Sequence, residues 1–138
     1  MTRHESRICA FELLFETDFH KDEPYETVCK NAVEIRGAAV SDFAASLFRV
    51  CTENLAAVDS KIEGAADNWR VSRMNSVTRA VLRLAVGEML YTDTPAKVAV
   101  NEAVEITKTY GDDKAPAFVN GILNKLAHSE GKITDEKK

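Results

Sequence analysis

Phe43-Ala44-Ala45-Ser46-Leu47-Phe48-Arg49-Val50-Cys51-Thr52-Glu53-Asn54-Leu55-Ala56-Ala57-Val58-Asp59-Ser60-Lys61-Ile62 places apolar side chains at 43, 47, 50, 51, 55, 58 and 62. Steps of three and four residues sustained over about five turns predict one long amphipathic helix, opened by Ser41 or Asp42. No stretch of the chain alternates with period two, so the spacing predicts an all-α protein. Beyond Ile62, Gly64 to Arg70 reads as a bend or short helical turn, with Trp69 plugging the core.

The same reading works outward in both directions. Thr2-Arg3-His4-Glu5 has the form of a capping box, and Ile8, Phe11, Leu14, Phe15 and Phe19 make an apolar stripe behind it. His20 to Pro24 breaks the chain. A second helix over about 25 to 36 is expected to bury Val28, Cys29, Ala32 and Val33 and to stop at Gly37. Asn75 or Ser76 opens a strong helix to about residue 91, with Val77, Val81, Leu84 and Ala85 inward. The turn Thr92 to Pro95 leads to a helix over about 98 to 110 that ends at Gly111. Pro116 suits the first turn of a last helix striped by Phe118, Val119, Ile122, Leu123 and Leu126. The expected architecture is about six or seven helices in two packed sub-bundles, one domain over 1–130 followed by a frayed polar tail over 131–138.

Composition excludes more than it selects. A net charge of -4 argues against a protein that coats nucleic acid by charge alone, so any nucleic-acid site must be a local patch. Cys9, Cys29 and Cys51 are odd in number and widely spaced, which fits reduced, buried thiols in a cytoplasmic protein and neither a disulfide framework nor a zinc site. The N-terminus lacks the apolar stretch of a signal peptide, and no run is long enough to span a membrane. No phosphate-cradling glycine loop occurs, and His4, His20 and His128 share no metal-ligand spacing, so neither cofactor nor metal is expected. Glu102 and Glu105 lie one turn apart, as a catalytic carboxylate pair could, but a solvated or partner-facing surface is the better explanation and no enzyme is expected.

The charges are unevenly distributed. Glu12, Glu16, Asp18, Asp22, Glu23 and Glu26 face only Lys21 in their stretch, whereas Arg70, Arg73, Arg79 and Arg83 have no acid among them. Arg79 and Arg83, four residues apart, share a helix face, and guanidinium forks without local counter-charge suit phosphate. The alternative is that tertiary structure supplies acidic neighbours. Arg3 and Arg7, with His4, form a second basic cluster at a helix start, where the first amides also attract anions. Asn120, Asn124 and His128, with Lys125 beside them, form a third polar strip; asparagine amides suit the edges of unstacked RNA bases, or simply a wet helix face.

Four blocks resemble the NusB family in order and spacing: Cys9-Ala10 with Leu13 and Phe15; Arg79 to Ala85 followed by Glu88; Lys97 to Lys108 followed by Tyr110-Gly111; and Phe118 to Lys125. The resemblance implies a NusB-like fold without catalysis, acting in transcription antitermination. Such proteins bind the boxA element of ribosomal RNA leader transcripts together with NusE, the small ribosomal subunit protein, and so reach other Nus factors and RNA polymerase indirectly. Carried over residue by residue, it implies RNA contacts at Arg3, Arg7, Asn75, Ser76, Arg79, Asn120, Asn124 and Lys125, and NusE contacts at Phe15 and Glu88; His4, beside Arg3 and Arg7, joins the expected RNA set and Arg83 the expected NusE set. It also raises a homodimer, because some relatives self-associate over the RNA surface. A helical protein–protein adaptor with little RNA binding is the alternative. A helix-turn-helix DNA reader fits the net acidity poorly, and a methyltransferase would need a catalytic α/β domain for which there is no room. On the residues alone, the RNA reading requires Arg3, Arg79 and Lys125 to share one wall.

The N-terminal arm keeps two arginines where some relatives have four or five, and Asn124 stands where some carry aspartate. Few phosphate contacts follow. A salt titration of boxA RNA binding is expected to give a log–log slope no steeper than about -4; a steeper slope would contradict the small contact count.

Overall fold

Side-chain caps start three of the helices where the sequence offers them. Thr2 Oγ1 accepts from the Glu5 amide at 3.0 Å while the Thr2 amide donates to Glu5 Oε1 at 2.9 Å, the reciprocal arrangement that satisfies two orphan donors. That bonding holds the Glu5 carboxyl below its ordinary pKa. Ser41 Oγ accepts from the Ala44 amide at 3.1 Å, and Asn75 Oδ1 from the Thr78 amide at 2.9 Å.

The computed structural model describes residues 1–20, 22–36, 40–67 and 69–132. Among them are seven α-helices: α1 (Arg3–Thr17), α2 (Tyr25–Arg36), α3 (Asp42–Glu53), α4 (Leu55–Ala65), α5 (Ser76–Tyr91), α6 (Ala96–Tyr110) and α7 (Ala115–Ser129). A short 3-10 turn, Val71–Arg73, precedes α5. Gly37, expected to stop the second helix, and 133–138 of the expected tail lie outside the described residues.

The fold is all-α and built around α5. α1 and α3 pack on one side of it, with α2 against both of them; α4, α6 and α7 pack on the other. α5 thus belongs to both helical groups, and one buried apolar cluster runs from Ala10 through Val81, Leu82 and Met89 to Leu126. No helix of the described residues is long and apolar enough to cross a membrane.

Five expectations are corrected. The long helix over 43–62 is two helices, because Asn54 leaves helical geometry at φ -116°, ψ 24° and its Nδ2 donates to the Val50 carbonyl at 2.8 Å. A one-residue break leaves the apolar period intact: Leu47 and Cys51 before it and Val58 and Ile62 after it all point into the same core. Trp69 does not plug the core; it is 52% exposed. Val33 is exposed, since α2 covers the core mainly through Val28 and Ala32, and Phe19 lies beyond the end of α1 in solvent. Cys9 and Cys29 are half-buried, and only Cys51 is buried, which pushes its thiol up to about 12.

Cys51 marks a close approach of α3 and α5. A Cβ built at Gly87 would overlap the Cys51 sulfur, which already donates to the Arg83 carbonyl at 3.3 Å. Overpacking costs about 1–3 kcal/mol against a helix-propensity gain of about 1 kcal/mol for alanine over glycine. Gly87→Ala is therefore expected to destabilise by on the order of 1 kcal/mol. Adding Cys51→Ala should recover part of that loss in a denaturant titration. A stabilised single variant would show that the two helices separate freely.

Candidate nucleic-acid interface

A charged group on an enclosed helix must find a counter-charge or lose several kcal/mol. Glu88, 1% exposed on α5, is met by Arg7 of α1: Nε donates to Oε1 and Oε2 at 2.9 and 3.0 Å, and Nη2 to Oε2 at 2.7 Å. Thr94 Oγ1 also donates to Glu88 Oε2 at 2.8 Å. The hydrogen bonds to Glu88 raise the Arg7 pKa against the cost of burial. Arg7 was expected on an RNA surface and Glu88 on a NusE surface; instead they bond each other inside the protein, and neither side chain is presented to a partner. The reason is depth. Arg7 shares a face with Arg3 but lies one turn further along α1, where α5 and α6 close over it.

Arg79 and Arg83 are likewise not uncompensated. Arg79 Nε donates to Asp18 Oδ2 at 2.9 Å, and its Nη1 to the carbonyls of Val71 and Met74 at 3.0 and 2.8 Å. Arg83 donates to Asp18 Oδ1 through Nη1 and to both oxygens of Asp59 through Nε and Nη2, each at 2.9 Å. Burial works against the Arg83 charge, yet Asp59 and Asp18 outweigh it and its pKa is raised. The acids come from the end of α1 and from α4. Arg79, expected to bind RNA, and Arg83, expected to bind NusE, are both engaged within the fold.

What remains at the surface is smaller and less charged. Arg3 stacks its guanidinium over the Phe43 ring, 3.9 Å from the centroid. His4 Nδ1 lies 2.7 Å from Glu102 Oε1 of α6. Next to Glu102, Asn101 joins Lys97, Val100, Asn120 and Asn124 around a groove of about 250 Å³ between α6 and α7. Asn124 Nδ2 donates to the carbonyl and side-chain oxygens of Asn120 at 3.0 and 3.1 Å, so the two amides stand as a pair. Lys97 and Asn101, not singled out from the sequence as site residues, are brought there by the same helical face; their i, i+4 spacing was the available signal.

His4, Asn120 and Asn124 therefore border α6, while Arg3 turns to Phe43 of α3, and the single basic wall is not formed. Arg79 bonds Asp18 just past the end of α1, and Arg3 begins that helix, about 22 Å of helix away. Lys125 sits on the other edge of α7 and pairs with Asp67 at 2.6 Å. Asn75 is spent as the cap of α5, and Ser76 is that helix's half-buried first residue. Phe15 is half-buried within an aromatic ladder, with Phe11 at 6.3 Å and Phe19 at 5.4 Å. Tyr110 of α6 extends the ladder from Phe11 at 5.0 Å. Among the described residues, no group of three His, Cys, Asp or Glu converges as metal ligands would.

Fold and surface together define an all-helical protein with an ion-paired central helix, a polar groove and a separate aromatic ridge. The chain belongs to the NusB family, whose model matches residues 4–128. It is 37% identical to the transcription antitermination protein NusB of Lysinibacillus sphaericus, over 94% of this chain and the whole of that protein. It is 51% identical to that of Anaeromyxobacter dehalogenans over 88 residues, an alignment covering 64% of this chain and 62% of the relative's length. Among solved structures, Thermotoga maritima NusB superposes with a TM-score of 0.80 at 33% identity, over 92% of this chain and 91% of that one. A crystal structure of antitermination factors NusB and NusE with double-stranded RNA also gives 0.80, at 27% identity over 94% and 99%.

Removing one member of a buried ion pair costs about 3–5 kcal/mol, whereas replacing both with apolar residues costs far less. Arg7→Met is expected to lower unfolding free energy by about that amount, and Arg7→Met with Glu88→Leu by clearly less, in urea titrations. An Arg7 variant that kept full stability and lost only RNA affinity would return that residue to the surface.

Proposed function

We propose that this chain is a transcription antitermination protein. It binds boxA RNA of ribosomal RNA leader transcripts together with NusE and helps RNA polymerase, with other Nus factors, resist termination. The single basic wall that the residue-based case required is absent, so what carries the reading is the family match over 4–128, joined to relatives described as transcription antitermination proteins and to a structural neighbour solved with NusE and RNA. The work is that of a non-catalytic adaptor in the cytoplasm.

The RNA surface on this reading is Arg3 and His4 at the start of α1, Lys97 and Asn101 on α6, and Asn120, Asn124 and Lys125 on α7. Asparagine amides donate and accept together and can match base edges that are free of Watson–Crick pairing. The Lys125–Asp67 bridge is solvent-exposed, a kind worth little, so the lysine can exchange its carboxylate for a phosphate. The NusE surface is the aromatic ladder at Phe15 and Phe19. Its exposed Phe19 and Tyr110 favour a second reading, a protein–protein adaptor with little RNA affinity of its own.

The two surfaces are separable by mutation. Arg3→Glu with Lys97→Glu is expected to weaken boxA RNA binding and to reduce the log–log salt slope by about 1–2, while NusE affinity is unchanged. Phe15→Asp is expected to do the reverse. RNA affinity untouched by the first pair, measured by fluorescence anisotropy with and without NusE, would favour the protein adaptor.

A further inference from the structure

The acidic stretch between Phe11 and Glu26 leads to a cavity that neither the RNA surface nor the aromatic ladder uses. α1 and α3 end side by side there. Leu14 and Thr17 of α1, with Asp18 just past it, and Phe48, Thr52 and Glu53 of α3 line an open space of about 520 Å³. That volume suits a large side chain or a small molecule. The floor is apolar: Leu14 and Phe48 are buried, Tyr25 of α2 stands edge-on to Phe48 at 6.1 Å, and Leu55 of α4 is half-buried beside them. The walls are negative. A helix carries partial negative charge at its C-terminal end, and neither α1 nor α3 has a basic residue in its last turn. Arg83 reaches the cavity but is bonded to Asp18 and Asp59. At the mouth, Glu23 and Glu53 are bridged by His20 at 3.6 Å and Arg49 at 2.9 Å, pairs that stand in solvent. Such bridges are worth little, so either carboxylate can exchange its cation for another.

We propose that this cavity docks a basic segment of a protein partner, seating one leucine-sized side chain on Phe48 and Tyr25 and an adjacent arginine or lysine on the carboxylate rim. The inference goes beyond the RNA reading and does not rest on it. Asp18, Glu23 and Glu53 repel a nucleic-acid strand, and an acidic segment would meet the same repulsion. Glu12, Glu16, Asp18, Asp22, Glu23 and Glu26 stand against Lys21 alone in the surrounding sequence. That field draws a cationic partner inward from about a Debye length, ~8–10 Å. Arg49 already holds its guanidinium 5.7 Å from the centre of the Tyr25 ring, so that ring takes a cation. The cavity lies on the α3 flank of α1, whereas the aromatic ladder joins Tyr110 on the α6 flank. One helix end thus carries two protein contacts of different chemistry.

The isotope-labelled full chain is titrated with an acetylated, amidated hexapeptide alternating leucine and arginine, and separately with its leucine–glutamate counterpart and with spermine. The basic peptide is expected to shift the amide resonances of Thr17, Tyr25, Thr52 and Leu55 saturably, and the acidic peptide to leave them in place. Glu23→Lys with Glu53→Lys is expected to weaken that binding at least about tenfold. Glu34→Lys with Glu105→Lys changes net charge equally at exposed positions outside the cavity and is expected to weaken it far less. All four glutamates are exposed, so each variant keeps the core intact. Shifts confined to other faces, an equal response to the acidic peptide, or equal weakening by both variants overturn the docking site. Spermine that reproduces the same shifts at equal affinity overturns it in favour of a polyamine pocket. Shifts at these amides that grow with protein concentration alone overturn it in favour of a second copy of the chain. Displacement of the peptide by NusE overturns a separate contact and assigns the cavity to the NusE surface.

Discussion

α5 is enclosed by other helices along nearly its whole length, with Ala80, Val81, Leu82 and every residue from Leu84 to Met89 buried. An enclosed helix cannot leave charges to water, so Arg79, Arg83 and Glu88 must draw opposite charges from elsewhere. They do so from α1 at both ends, Arg7 near its start and Asp18 just past its finish, and from α4 through Asp59. The two ends of α1 are thereby fixed antiparallel on α5, in one register. That register sets everything at the surface: with Arg7 locked to Glu88, the turn before it carries Arg3 and His4 out to Phe43 and Glu102.

This explains how far the sequence could be read. The positions of the helices were legible because they depend on local periods and caps, and Thr2, Ser41 and Asn75 behave as their residue types require. The break at Asn54 was not, because a single non-helical residue does not disturb a stripe that continues into the same core. Trp69 was misread for a related reason. A large apolar residue between two helices suggests a plug, but burial there is filled by Ala65, Ala66 and Val71. The candidate site was legible only where it depends on neighbours along a helix, as for Asn120 and Asn124. The pairing of Arg7 with Glu88, or of Arg83 with Asp18, spans 81 and 65 residues, and no spacing rule reaches that far.

On the proposed reading, the loss of Arg7, Arg79 and Arg83 from the surface to ion pairs changes the kind of RNA recognition open to the protein. A face built from many arginines would bind nucleic acid through counterion release, strongly and with little regard to sequence. The face that remains has amides in its groove, a stacked guanidinium at its edge and a few lysines. Such a surface contributes more through hydrogen-bond geometry and base contact than through charge, in keeping with a net charge of -4.

Rigidity then bears on how RNA and NusE act together on the proposed reading. The polar groove adjoins the first turn of α1, and the aromatic ladder runs along its second half to Phe19. Both surfaces are carried by one helix whose two ends are pinned by buried ion pairs, so neither can shift without breaking Arg7–Glu88 or Asp18–Arg79. A ligand changes affinity at a second site through the protein only if the protein has two states to choose between. No such pair of states is built into α1. Tighter RNA binding in the presence of NusE therefore has its simplest origin in RNA contacts that NusE itself adds alongside a preformed surface, joined to it across the ridge of Phe15 and Phe19.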